Sequence, residues 1–314
     1  MDFYLDSVQS LKDYASGADW PELNEVLDRA ARRAPIAWKL PVVACQAVGG
    51  PSGAASPAVS AFTAVQISIL LIDDLLDEDP RGEHMRIGTG RAANLAVALS
   101  SLASAFLLDA GDAATAAKAA RALSQMQFTL SRGQDLDAQN PGSEEAYWAI
   151  THGKSGVYFA TALYLGALFG GASDAIGGQM QAFGELYGDI MQIHDDLNDC
   201  MEEQPGPDWK LGRYSLPILF ASLVEHPDRA RFLELRAAIE QPGALEEAQA
   251  ILVRSGAISY SVNELLKRHA QAKALLAEMP LAKRDDFDTL LQEVVDPVER
   301  LFAAVGAKLP SGPG

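Results

Sequence analysis

The chain has 314 residues, 48% of them hydrophobic, 21% charged and 7% aromatic, with a formal net charge of −17. That balance excludes disordered and fibrous classes, and a surface so acidic repels the phosphate backbone of nucleic acid. A bound phosphate would need local cations, either metal or Lys/Arg, and abundant Ala and Leu beside few aromatics favours helices over strands.

The first residues, Met1 to Tyr14, carry Asp2, Asp6 and Asp13 and show no basic region leading into an apolar run. No signal peptide is expected there. The most apolar stretch, about Ala55 to Leu76, contains Ser and Gln and ends in acids. It is expected to be a buried core helix and not a membrane span. Cys45 and Cys200 are far apart and show no CxxC spacing, so neither a disulfide framework nor a zinc site is expected, and a reducing cytoplasm fits. Breaks fall at Gly49–Gly53, Ala110–Asp112, Asn140–Gly142, Gly170-Gly171, Gln204–Pro207 and Gln241–Gly243, each between long segments of helical period. Ser143 with Glu144 and Glu145, and Ser173 with Asp174, have the form of N-caps followed by early acids. The segment Pro205–Lys210 is read as a loop within one domain. There is no internal repeat, and low complexity is confined to Pro310–Gly314. Short turns between helices favour antiparallel neighbours. The expected architecture is all-α, a single large antiparallel helical bundle forming one domain over 1–314.

Two acidic clusters carry the chemistry. Asp73-Asp74-Leu75-Leu76-Asp77 ends the first apolar helix, and Asp195-Asp196-Leu197-Asn198-Asp199 ends another apolar run, Phe183 to Ile193. Asp73 and Asp77 share a helix face, as do Asp195 and Asp199, with Gln192 one turn before Asp195. Like charges at that spacing destabilise a helix, and acids oppose the dipole at a C-terminus. A hard divalent cation offsets both, and Mg²⁺, which takes oxygen ligands and is often shared with phosphates, suits the pattern. If the two helices face each other across a bundle, the clusters form a paired metal site around a central apolar cavity.

These residues resemble the trans-isoprenyl diphosphate synthases. Asp73-Asp74-x-x-Asp77 followed by Arg81-Gly82 is similar to that family's first aspartate-rich motif, and Gln192 to Asp199 to its second. Gly133-Gln134-Asp135-Leu136-Asp137, Lys154-Ser155-Gly156 and Asp208 to Pro217, with Arg213 in a Lys position, resemble further motifs in the same order. The resemblance implies an isoprenoid-synthase fold, several Mg²⁺ ions per site, and condensation of isopentenyl diphosphate with an allylic diphosphate into a longer linear trans product. It implies that Asp73, Asp77 and Asp195 bind the metal, and that Asp74, Asp196 and Asp199 ligate it more weakly or orient its waters. Lys154, Lys210 and Arg213 would neutralise the diphosphate, and Gln192 would hold the second cluster or contact the nascent cation. The family is commonly homodimeric.

The chain departs from the family at the second-substrate site. A basic segment is expected near Ala34–Pro41, yet Lys39 is its one cation. Arg81 stands alone where two arginines are usual, and Gln66 occupies a His position. Each lost cation removes a charge-assisted contact to phosphate; His84, Arg86 and Arg91 are nearby substitutes. Ser68 and Ile69, in the positions that limit product length, are not aromatic, which implies a geranylgeranyl or longer product. Phe62, roughly 16 Å along the helix from Asp73 at about 1.5 Å per residue, is either the cavity floor or a plain core aromatic. A class I terpene synthase, for which Glu203 would complete the second motif, and a non-catalytic subunit of a heteromeric synthase are the alternatives.

Overall fold

The computed structural model describes residues 3–32 and 36–304. Met1, Asp2, the Ala34-Pro35 part of the expected basic segment and the Pro310–Gly314 tail lie outside the described residues. In chain order the helices are α1 (Phe3–Ala15), α2 (Pro21–Ala30), α3 (Leu40–Ala47), α4 (Ser56–Leu76), α5 (His84–Ile87), α6 (Thr89–Leu108), α7 (Ala113–Ala138) and α8 (Glu144–Thr151). A π-helical turn, His152–Gly156, leads into α9 (Val157–Phe169). Then follow α10 (Asp174–Asp199), α11 (Pro207–Lys210), α12 (Leu216–Leu223), α13 (Arg229–Ala237), α14 (Ala244–Arg254), α15 (Ala257–Glu278) and α16 (Asp285–Ala304). No strand occurs among the described residues. Five of the six expected breaks fall between α-helices, and the sixth, Gln204–Pro207, runs into the first residue of α11. Ser143 Oγ accepts the Ala146 amide at 3.2 Å, and Ser173 Oγ accepts that of Ile176 at 3.4 Å, so both expected N-caps form. One detail differs: Pro207–Lys210, expected as loop, is a one-turn helix, because Pro207 at its first position is preset for helix and needs no amide partner.

The chain divides into two compact units. The first comprises Met1–Phe128, Phe159–Ala182 and Met279–Arg284. Its central element is α4, buried between α1 and α6. Small residues such as Ala58, Ala61 and Ala64 on α4, and Ala92, Ala96 and Ala103 on α6, are fully covered and let the backbones approach. Ser7 Oγ lies 3.3 Å from Thr63 Oγ1, and Ser68 Oγ donates to Ala96 O at 2.8 Å, so the polar groups inside this packing are bonded. Two helical stretches, Ser52–Leu76 and Thr89–Leu108, are long and apolar enough to cross a membrane; 61% of the first window and 33% of the second are buried in the protein. The first is the stretch expected to be a core helix, and its burial fits that reading. Thr89–Leu108 had no counterpart in the hydropathy expectation.

The second unit comprises Thr129–Tyr158, Phe183–Glu278 and Asp285–Gly314. Its core gathers Trp209, Ile218, Phe232, Ile251 and Leu252 around Cys200, and each large side chain buried there contributes about 1.5–3 kcal/mol. Gln249 Nε2 donates to the carbonyls of Cys200 and Glu202 at 3.2 and 2.7 Å. These contacts satisfy carbonyls just beyond α10, which helical geometry leaves without partners. The C-terminal end of α10, bearing the second acidic cluster, is thereby anchored. Cys45 and Cys200 are both free and buried, and burial pushes the Cys200 thiol up to about 12.

Candidate active site

The first acidic cluster occupies the C-terminal end of α4. Asp73 and Asp74 lie in its last turn, and Asp77 is the C-cap, its amide bonded to Asp73 O at 2.9 Å. The shared face of Asp73 and Asp77 is therefore real, and Gln66, half-buried seven residues earlier, lies along it. The last turn holds no basic residue. Burial raises the Asp74 carboxyl, opposed by a hydrogen bond from the Glu83 backbone. Asp79 is drawn down to about 2 by Arg81, whose Nε and Nη2 both donate to it at 3.1 and 2.8 Å. Arg81 is thus folded back on Asp79. Of the substitute cations, Arg91 pairs with Glu22, while His84 is half-buried and Arg86 exposed; Lys39 is exposed too. Ser68 is bonded into the α6 backbone, and Phe62 is 1% exposed within the core.

The second cluster is built more fully. Gln192, Asp195, Asp196 and Asp199 lie in the last two turns of α10, again with no basic residue in the last turn. Asp195 and Asp199 are exposed, while Asp196 is 3% exposed. Asp196 Oδ2 accepts from Tyr147 Oη at 2.8 Å and from the Leu216 amide at 2.7 Å; its Oδ1 accepts from Gln192 Nε2 at 2.9 Å. Gln192 Oε1 in turn accepts from Ser155 Oγ at 2.8 Å. Asp196 therefore ties α8, α10 and the start of α12 together, and both its oxygens already have protein partners. Burial pushes its carboxyl up to about 7 against the pull of these bonds. Asp199 is pushed up to about 6 by partial desolvation and by the negative charges of Asp208, Asp195 and Glu202.

Lys154 sits in the π-helical turn, and its Nζ donates to Asp137 Oδ2 at 2.6 Å. Two glycines make room for that turn. A Cβ on Gly133 of α7 would lie 2.9 Å from Gly153 C, and one on Gly188 of α10 would lie 2.6 Å from Ser155 O. Backbone meets backbone at both points, which only glycine allows. π-turns inserted in helices are frequent at functional sites, and this one aims Lys154 at the carboxylates. Asp189 adds a tether, accepting from His152 Nε2 and Arg268 Nε, both at 3.0 Å.

Lys154, Gln192, Asp196, Asp199 and Arg213 line one cavity of about 140 Å³ with Asp137, Tyr147, Asp208 and Ser215. Five residues singled out in the sequence thus share one wall system. Asp195 stands on the same helix but outside the lining, and Lys210 is exposed on α11. Tyr147 and Asp208 had been given no role. Asp208 lies inside a recognised motif, whereas nothing in the sequence marks Tyr147. Ser215 Oγ is buried, without a hydrogen-bond partner, at this wall.

No group of three or more His, Cys, Asp or Glu able to hold a metal by itself occurs among the described residues. The donors at each cluster are carboxylate oxygens, and neither helix carries a basic residue in its last turn. That set fits a hard cation bound by one or two carboxylates and completed by water and phosphate, the manner in which Mg²⁺ is usually held. An all-helical scaffold with carboxylates and cations around one polar cavity defines a class of protein that can grip an anionic group.

Comparison with known proteins narrows the class. The polyprenyl synthetase family matches residues 39–253, and the chain belongs to that family. A short chain isoprenyl diphosphate synthase from Methanothermobacter thermautotrophicus is 26% identical over 253 residues, 76% of this chain and 78% of that one. A geranylgeranyl diphosphate synthase from Methanosarcina mazei is 28% identical over 57% of this chain and 60% of that one. Among solved structures, a decaprenyl diphosphate synthase from Rhodobacter capsulatus superposes with a TM-score of 0.83 at 20% identity, covering 94% of this chain and 96% of that one. The fold is the all-α isoprenoid-synthase fold, as the sequence led one to expect.

Proposed function

We propose that the chain is a Mg²⁺-dependent prenyltransferase that joins isopentenyl diphosphate to an allylic diphosphate and releases a longer linear trans-prenyl diphosphate, geranylgeranyl or longer. The observation that carries this is the cavity where Lys154 and Arg213 meet the second acidic cluster in a polyprenyl synthetase. Chain elongation agrees with the names of the relatives, whose products differ in length. When bound, magnesium would supply positive charge that favours heterolytic cleavage of the allylic C–O bond. At the end of α4, Asp73 and Asp77 would hold metal, and at the end of α10 Asp195 would, with Asp74, Asp196 and Asp199 ligating more weakly or orienting bound water; one solved structure of similar fold was crystallised with calcium and isoprenyl diphosphate.

The chain's own residues do the rest. Lys154 and Arg213 place two cations at the cavity wall, where they stabilise negative charge developing on the leaving diphosphate. Gln192 fixes Asp196, and Asp196 with Tyr147 and the Leu216 amide fixes the wall beside which the two cations stand. Asp196 acts first as an organiser, its two oxygens accepting three hydrogen bonds from α8, α10 and the start of α12. Gln66, Lys39 and Lys210 would contact substrate more weakly, and Arg81 must leave Asp79 to do so. The reading takes 1–314 as one synthase domain, homodimeric and cytoplasmic.

The test is incubation with labelled isopentenyl diphosphate, Mg²⁺ and geranyl, farnesyl or geranylgeranyl diphosphate. An elongated linear diphosphate supports the proposal, and its length with each primer fixes the product class. A hydrocarbon or alcohol formed from the allylic substrate alone points to a terpene synthase, which the Arg81–Asp79 pairing would favour. Silence that ends on adding a partner chain points to a non-catalytic subunit.

A further inference from the structure

Arg236 lies on α13, outside every motif singled out in the sequence. Its Nη2 donates to the carbonyl oxygens of Gly212 and Arg213, the latter at 2.9 Å. Its Cζ sits 3.9 Å from the centroid of the Tyr214 ring. One guanidinium therefore holds three consecutive residues, two by their carbonyls and one by its aromatic face. A planar fork that can also stack is suited to this, and an ammonium is not.

Two further contacts brace the same turn. Asn140 Nδ2 donates to Gly212 O at 2.8 Å. Gly142 packs on the Tyr214 ring so closely that a Cβ there would come within 3.0 Å of it. Gly212 itself has φ +65°, a left-handed conformation that leaves its carbonyl turned toward Arg236 and Asn140. Arg213, Tyr214 and Ser215 then continue into the wall of the cavity that holds Lys154 and Asp196. The turn is short, so where its backbone sits decides where the Arg213 side chain begins.

We propose that Arg236 is a positioning residue that fixes the Gly212–Tyr214 turn and so aims the Arg213 cation into the diphosphate cavity. The inference rests on the reading of Arg213 as a diphosphate-neutralising cation. It assigns Arg236 no contact with substrate. Its effect passes through Arg213, and that makes it separable from ordinary structural support.

The experiment is a double-mutant cycle of R236M and R213M, with R236K as the conservative variant. Steady-state kcat and KM for the allylic diphosphate are measured with saturating Mg²⁺, and thermal unfolding is recorded for each protein. Displacing a catalytic group by about 1 Å costs on the order of 100-fold, so R236M is expected to lower kcat/KM by about 10- to 100-fold. R236K, which keeps the charge but not the fork, should recover only part of that loss. In the R213M background, R236M should add less than about twofold, because contacting or coupled residues are non-additive. Equal losses in both backgrounds, or wild-type kinetics for R236M, overturn the proposal. If R213M alone leaves kcat/KM unchanged, the reading of Arg213 fails first and takes this inference with it. Should R236M not fold, R236K carries the same cycle.

Discussion

Replacing Asp196 by Ala should disrupt the second half of the site far more than replacing it by Asn. Three donors converge on the carboxylate: Tyr147 Oη, the Leu216 amide and Gln192 Nε2. In D196A all three lose their acceptor. The Leu216 amide is the worst placed, since a backbone donor cannot turn away and its residue is 1% exposed. Leaving a buried donor unsatisfied costs about 1–3 kcal/mol, so D196A should lose about 3–5 kcal/mol once partial relaxation of Tyr147 and Gln192 is allowed. In D196N the side-chain oxygen can keep Tyr147 and Leu216. The new amide nitrogen then faces Gln192, which can flip and offer its oxygen, with the Ser155 hydroxyl rotating to accept from it. Every group stays bonded, and only charge assistance is lost, about 1–2 kcal/mol in total. Urea unfolding monitored by circular dichroism measures the difference, and amide hydrogen exchange across Ser215–Ile218 localises it. Equal stabilities for the two variants, or unchanged exchange at Leu216 in D196A, would refute the view of Asp196 as an internal tie.

Three further outcomes follow from the same geometry. Folding raises the Asp196 carboxyl to about 7 and that of Asp199 to about 6, so the folded state binds more protons than the unfolded chain between about pH 4 and 7. Without divalent metal, stability contributed by these groups should be complete below pH 4 and fall as pH rises to 7; a melting temperature that climbs over that range contradicts the assignment. Magnesium should reverse the trend, raising the melting temperature more at pH 7.5 than at pH 5.5, and D195N should blunt that rise, as thermal unfolding with Mg²⁺ or EDTA will read. G188A should force the π-turn away from α10, because its Cβ would lie 2.6 Å from Ser155 O, with a cost of about 1–3 kcal/mol and a loss of turnover of about 100-fold as Lys154 shifts. G178A on the same helix, with nothing within 4 Å of the added atom, should instead stabilise by about 0.5–1 kcal/mol and leave turnover intact.

The helices were legible because their signals are local. The breaks at Gly111, Pro141 and Gly243, and the caps at Ser143 and Ser173, each act within a few residues, and each forms where expected. Pro207–Lys210 was misjudged because a lone helical turn has no period to detect. The acidic clusters were legible for a similar reason: like charges four residues apart at a helix end are improbable unless something offsets them. The roles within a cluster were not. Asp195 and Asp196 are adjacent and identical in type, yet one is exposed and the other buried beneath three donors.

By itself, then, the order of residues determined an all-α chain of the polyprenyl synthetase family, with two carboxylate groups at helix ends and Lys154, Gln192 and Arg213 as companions. Helical period, capping and like-charge spacing are properties of neighbours in sequence, and so can be read there. Only the tertiary structure decided that Arg81 folds onto Asp79, that Asp196 is a tie, and that Tyr147, Asp189 and Arg236 support the site. Those facts depend on which distant donors reach a given carboxylate or carbonyl, and that is settled when glycine notches such as Gly133 and Gly188 let backbones from separate helices touch.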